Sequence, residues 1–162
     1  MSASNFPQIA GQYLAVNGVS LAVNIPVNAG SQNIIILRNP DNSTKYLNLP
    51  PGMWNIQANV LLDTNNGANT NADFFQLQII AQQAGGPLEI VNVGTTLYGA
   101  TFPDAVASQY IQATGNISVN VETPISLRVA TLNTDQILAI PTNEVFLYAQ
   151  YLGPTLTNGY FE

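Results

Sequence analysis

The sequence predicts an all-β fold, a β-sandwich of about eight to ten antiparallel strands, on three observations. Apolar and polar residues alternate with period two along most of the chain, which is typical of strands with one buried face. Clusters of glycine, proline and asparagine separate these runs, at spacings typical of sandwiches. No segment shows the apolar periodicity of an amphipathic helix. We therefore expect two packed sheets.

The first alternating runs lie near the N-terminus, on either side of Asn17-Gly18. This dipeptide favours a two-residue hairpin, because a type I′ turn needs positive φ at both central residues. We expect residues 13–16 to pair with residues 19–22 across this turn.

The remaining runs fill the centre and the C-terminal half of the chain. They are residues 54–62, 75–81, 117–121, 125–131 and 145–152. Within the first of these runs, Trp54 shares its period-two face with Ile56 and Val60, so we expect its ring in the core. Residues 94–108 contain several small residues and are the least regular part. A long crossing connection is expected there.

The final run is apolar or aromatic on both faces, which is unusual for a strand with one buried face. Such a strand has either a second sheet or another subunit over its outer face. A central strand lying under a loop is the alternative, and we favour a subunit interface. The residues assigned to that interface are Phe146, Tyr148, Gln150, Tyr151 and Leu152.

Composition argues against most enzyme classes. The chain has no histidine, no cysteine, three basic and nine acidic residues. It therefore lacks the imidazole and thiolate groups used in proton transfer, covalent attack and metal ligation. We predict a non-enzymatic protein without a cofactor. A net charge of −6 also argues against nucleic acid as a partner, since phosphate backbones are bound by Lys and Arg.

The N-terminal segment has neither a basic region nor an apolar run of secretory-signal length. No segment reaches the roughly 20 apolar residues that cross a bilayer, so no membrane insertion is expected. Without cysteines, the chain is compatible with synthesis in a reducing cytosol. We expect residues 1–162 to form a single domain, with residues 1–11 a candidate flexible N-terminal arm.

One polar loop suggests a calcium site. Asp63, Asn65 and Asp73 lie in or beside the Asn-rich segment around Gly67, and oxygen ligands around a glycine are typical of Ca²⁺ loops. The spacing differs from an EF-hand, because Phe74 stands where a bidentate Glu is required. We favour an Asn-rich hairpin loop, with these three residues the only metal candidates.

Two segments resemble a known family. Residues 49–60, with Pro50-Pro51-Gly52, then Trp54, then alternating apolar residues, are similar to a strand of complement-globular-head and tumour-necrosis-factor-like jelly rolls. The aromatic-rich residues 142–153 are similar to the final strand of that family. The resemblance implies a jelly-roll sandwich that forms a homotrimer, with the aromatic strands packed around the threefold axis.

The Asn-, Gln- and Thr-rich, charge-poor composition resembles that of viral structural proteins with jelly-roll folds. This resemblance implies a virion component whose partners are other copies of itself and other capsid proteins. A module that binds a carbohydrate or a receptor, through Asn, Gln and Tyr side chains or the loop 65–71, is the alternative function.

Overall fold

The computed structural model describes residues 11–17, 23–25, 30–64, 70–82, 86–102, 109–134, 138–140 and 144–155. These residues contain eleven strands. They are β1 (Tyr13–Asn17), β2 (Val23–Ile25), β3 (Ser31–Ile35), β4 (Leu47–Leu49), β5 (Gly52–Thr64), β6 (Thr70–Gln82), β7 (Leu88–Phe102), β8 (Gln109–Val119), β9 (Thr123–Thr134), β10 (Leu138–Ile140) and β11 (Val145–Gly153).

The strands form two antiparallel sheets. In the first sheet the order is β1-β11-β5-β10-β2, and β8 pairs with β5 along its other edge. In the second sheet the order is β3-β9-β6-β7, and β4 also pairs with β9. The predicted all-β sandwich is confirmed.

The core lies between the sheets, because the apolar positions of each alternating strand point inward. Trp54 is fully buried, as the sequence predicts. Its indole N–H donates to the Pro50 carbonyl oxygen at 2.9 Å, which satisfies the one polar group of the ring. The Tyr151 ring meets Trp54 edge-on, with 5.0 Å between ring centroids.

The structure pairs β1 and β2 with distant strands and does not describe the partner segment of the expected N-terminal hairpin. β1 pairs with β11, where Leu14 lies opposite Ala149, and β2 pairs with β10. Residues 18–22, which include the expected partner segment, lie outside the described residues. The pairing of β1 with β11 places Leu14 and Val16 against the core, a gain that the local turn pattern does not contain.

The expected connection over residues 94–108 is wrong for its first part. Residues 94–102 belong to β7, a strand of 15 residues, while residues 103–108 lie outside the described part of the chain. Two register shifts interrupt the pairing of β7 with β6: Gln76 faces Thr96 but Gln78 faces Val93, and a second shift follows at Ile80. Such bulges break the period-two pattern, which is why the sequence does not resemble a strand there.

A close contact joins the two sheets along the edge where β7 meets β8. A side chain at Gly94 would collide with Ala113, so only glycine lets the two strands approach this closely. Beside it, the Thr95 hydroxyl donates to the Gln112 carbonyl oxygen at 2.9 Å and accepts the Gln112 N–H at 3.1 Å. We call this contact the β7–β8 seam.

Candidate functional site

The most distinctive surface is the outer face of the first sheet, formed by β1, β11, β5 and β8. The strand registers align its side chains in rows across the sheet. The rows are Tyr13–Gln150–Asn55–Asn116, Ala15–Tyr148–Gln57–Thr114 and Phe146–Asn59–Gln112. We call these residues the amide face. None of their side chains carries a charge.

The amides of this face bond to one another. Gln57 Nε2 donates to Asn55 Oδ1 at 3.0 Å, and Asn55 Nδ2 donates to Asn116 Oδ1 at 2.9 Å. Asn59 Nδ2 donates to the Tyr148 hydroxyl oxygen at 3.3 Å. The first bond lies within β5, and the other two join β5 to β8 and to β11. Side chains held by such bonds lose less conformational entropy when another molecule contacts them.

Burial within the face is graded. The side chains on β5 and β11 are half-buried, whereas Thr114 and Asn116 on β8 and Ala15 on β1 are exposed. Tyr13, at one end of the first row, is 60% exposed. The centre of the face is therefore less accessible to water than its margin.

Among the described residues, a charged side chain lies at the edge of the face, beyond the third row. There Leu61 N–H donates to the Glu144 carbonyl oxygen at 3.0 Å, and the Tyr110 hydroxyl lies 3.3 Å from the Glu144 carboxylate. The negative charge of Glu144 raises the pKa of Tyr110, because the carboxylate disfavours a second anion beside it.

Comparison with known proteins identifies the fold. No protein-family model matches the chain, and no curated protein matches it. Among solved structures it is similar to Eiger TNF from S. frugiperda, with a TM-score of 0.55 and 8% identity, over 93% of this chain and 99% of that one. The fold is a TNF-like jelly roll. Murine APRIL is also similar, with a TM-score of 0.49 and 13% identity, over 86% of this chain and 99% of that one.

Within this TNF-like fold, the predicted interface residues separate by strand alternation. Phe146, Tyr148 and Gln150 are half-buried on the amide face, and Leu152 beyond them is exposed. Tyr151 points the other way and is only 7% exposed, because its ring packs on Trp54. Tyr151 is a core residue that supports the amide face from below.

The calcium candidates fall at the ends of β5 and β6. Asp63 pairs through its backbone with Ala139, and Asp73 lies in β6, but both side chains and the whole of Asn65 lie outside the described residues. In the part of the chain that the structure describes, no group of three acidic residues could hold a metal ion.

The polar amide network itself could not be found from single-residue motifs. Its only sequence signal is the polar half of the alternation at Asn55, Gln57 and Asn59, which predicts an outward face but no partners.

Across the described residues, no helix is long and apolar enough to cross a membrane.

Proposed function

We propose that this chain is a non-enzymatic contact protein that assembles into a homotrimer through the amide face. The observation that carries the proposal is the absence of charge across the rows of this face, together with the internal bonding of its amides. Interface centres are depleted of charged residues and enriched in Tyr and Phe. Tyr148 lies in the second of the three rows and Phe146 in the third.

The cost of removing water favours a contact through the amide face. Moving an ion from water into an interface is costly unless it is paired, and the amide face contains none to move. An amide that already has a hydrogen-bond partner within the face loses less hydrogen-bonding free energy when water leaves. In a threefold assembly the face of one copy would contact a different surface of the next copy, because cyclic trimers use heterologous contacts.

Sedimentation equilibrium tests the proposal directly. We expect a mass three times that of the chain at micromolar concentration, and a stable monomer would contradict the proposal. Gln57→Lys places a charge at the centre of the face and should give a monomer. Asn48→Lys is the matched control, because Asn48 is exposed on β4 of the second sheet; it should leave the mass unchanged.

The non-enzymatic part of the proposal rests on composition. Without histidine or cysteine, and with Lys45 the single lysine, few groups can activate a nucleophile. The TNF-like fold is compatible with this proposal but does not by itself specify an activity.

We further propose that the protein is a component of a virion, and the support for this is its charge-poor, amide-rich composition. Low surface charge suits dense packing of subunits, since fewer ions need desolvating on assembly. Mass spectrometry of purified particles from the source organism tests it. Absence of the chain from such particles would remove this part of the proposal and leave the trimer untouched.

Binding of a carbohydrate or a receptor is the second candidate function. It is favoured by Tyr13 and Tyr110, which are 60% and 57% exposed at opposite ends of the amide face. Exposed aromatic rings with a polar tip suit contacts to partly polar ligands. A glycan array probed with the intact protein, with and without calcium, should show a binder that Tyr13→Ala or Tyr110→Ala weakens; an empty array would exclude the carbohydrate ligand.

A further inference from the structure

A cavity of about 280 Å³ opens where β7 and β8 separate, beside the turn between β8 and β9. Both aliphatic and polar residues line it. The apolar residues are Ala81, Val91, Ile117, Val119 and Val121, and the polar residues are Glu89, Ser118, Asn120 and Thr123. Pockets for whole drug-sized ligands span roughly 300–1,000 Å³, so this cavity suits a smaller group.

The β7–β8 seam sets the inner end of this region. Gly94 lies against Ala113 there, and the Asn92 side chain lies so close to Gly115 that a methyl group at this glycine would collide with it. These contacts hold β7 to β8 on one side of the cavity. Val91 and Ile117, which line the cavity, therefore follow directly along β7 and β8 from these two close contacts.

The polar groups of the cavity are rich in acceptors. Glu89 contributes a carboxylate. The Thr123 hydroxyl donates its proton to the Val121 carbonyl oxygen at 2.9 Å, so it offers lone pairs to a ligand. No lysine or arginine is among the residues that line the cavity. Ser118 and Asn120 can donate as well as accept, but a cationic donor complements the single carboxylate of this lining.

We propose that this cavity binds a primary ammonium group carried on a short aliphatic chain. The ammonium would meet the Glu89 carboxylate and the Thr123 hydroxyl oxygen, and its methylenes would lie against Val91, Ile117 and Val119. An ammonium has three donors and no acceptor, which complements this set of groups. The ligand is a free alkylamine or the lysine side chain of another protein, and its binding goes beyond the proposed self-association.

Titration followed by ¹⁵N-HSQC NMR tests the proposal, with n-butylammonium as probe and 1-butanol as its uncharged counterpart. Glu89 is exposed, so its ion pair with a ligand is screened by water. We expect butylammonium to shift the amide signals of residues 117–123 and to bind about two- to fivefold more tightly than butanol, as an exposed ion pair implies. Glu89→Gln should remove this difference and leave butanol binding unchanged.

Glu122→Gln is the matched control. Glu122 is exposed in the same turn but does not line the cavity, so its substitution removes the same charge without removing the ligand contact. Equal losses in the two variants, or equal binding of butylammonium and butanol by the wild-type chain, would overturn the proposal. Each variant's HSQC spectrum shows that it is folded.

The source of the ammonium is distinguished with Nα-acetyl-lysine N-methylamide. If this compound binds as tightly as butylammonium, the cavity accepts a lysine side chain presented on a backbone. If only butylammonium binds, the cavity accepts a free amine. Both results support an ammonium site, and absence of binding by both compounds contradicts it.

Discussion

The outer faces of the two sheets both contain hydrogen-bonded amide side chains, but these side chains have different partners on the two faces. On the amide face, Asn55, Gln57 and Asn116 bond to one another and stay partly accessible. On the second sheet, Gln78 accepts from Arg128 Nε at 2.8 Å and donates to Gln76 Oε1 at 2.6 Å. There Gln78 is only 4% exposed. The amides of the second sheet thus solvate a cation.

The second face is also partly covered by the chain itself. The Ser126 hydroxyl donates to the Lys45 carbonyl oxygen at 2.8 Å, and the Tyr46 hydroxyl donates to Gln82 Oε1 at 2.6 Å. Ser126 and Ile80 are fully buried although they point away from the core. The outer face of the second sheet is thus partly covered by the chain's own residues and pairs its amides with a cation, whereas the amide face is uncharged and hydrogen-bonded within itself, which suits contact with another molecule.

Both faces depend on the core between them, and this dependence gives the largest expected effect. Trp54→Ala should lower the free energy of unfolding by about 3–5 kcal/mol, because it leaves a large cavity beneath the first sheet. Urea unfolding followed by circular dichroism measures the loss. Val121→Ala, at a side chain that is mostly exposed, should stay within about 0.5 kcal/mol of wild type; a similar loss in both variants would show that Trp54 does not anchor the sandwich.

Matched glutamine substitutions test whether the two faces have different roles. Gln78→Ala removes the partner of Arg128 Nε at a buried position and should cost about 1–3 kcal/mol in unfolding free energy. Gln57→Ala, at a half-buried position whose side-chain amide donates to Asn55 Oδ1, should cost less than about 1.5 kcal/mol. Urea unfolding of both variants, at a concentration where each is monomeric, compares them. Equal costs would remove the distinction between the faces.

Salt should separate an uncharged contact from a charged one. Because the rows of the amide face carry no charge, raising the NaCl concentration from about 0.05 to 0.5 M, which shortens the screening length severalfold, should leave the trimer mass unchanged. Sedimentation equilibrium at the two salt concentrations measures it. Dissociation at high salt would show that the contact uses ionic groups outside the amide face.

Changes in pH should have the smallest effects on stability. We expect one effect in acid, beside the second sheet, and one in alkali, beside the amide face. Hydrogen bonds from the Ser43 hydroxyl and N–H lower the pKa of Asp41, in the loop beside the second sheet. Its contribution to stability is therefore present above the ordinary value of 3.8 and is lost as pH falls through the lowered value. Tyr110, at the edge of the amide face, contributes below its ordinary value of 10.0, and that contribution is lost as pH rises through the raised value.

Melting temperatures across pH 2–11 measure both contributions, with Asp41→Asn and Tyr110→Phe as controls that should flatten the acid and alkaline ends respectively. Between about pH 6 and 8 the wild-type curve should be flat, since the chain has no histidine and no other side chain ordinarily titrates there. A steep change in that interval would contradict this account.

The period-two alternation predicts a strand best where every second side chain of that strand packs into the same core. The period-two runs containing Trp54, Leu127 and Leu147 are strands, and all three side chains are fully buried. It failed at β7, because two bulges interrupt the alternation there. It also gave no sign that β1 pairs with β11, which is more than 120 residues away in the chain, where Tyr13 meets Gln150. That pairing buries part of Leu14 and Val16 against the core, a gain between distant segments that a local turn preference does not contain.

The candidate site divides in the same way. Alternation alone places Phe146, Tyr148 and Gln150 on one face of the last strand and Tyr151 on the other, but it does not indicate that the Tyr151 ring packs on Trp54. The bonds from Gln57 through Asn55 to Asn116 depend on the register between β5 and β8, residues 61 apart. Nothing in the local sequence around either strand specifies that register.

By itself, then, the sequence determined the all-β class, the inward set of apolar residues and the scarcity of charge, because these follow from composition and from a period that each strand carries within itself. Only the tertiary structure decided which strands pair, which amides bond, that one outer face stays uncharged while the other holds Arg128, and where a cavity opens beside the β7–β8 seam. Those features arise from contacts between distant segments, whose energies depend on register and packing that no local pattern contains.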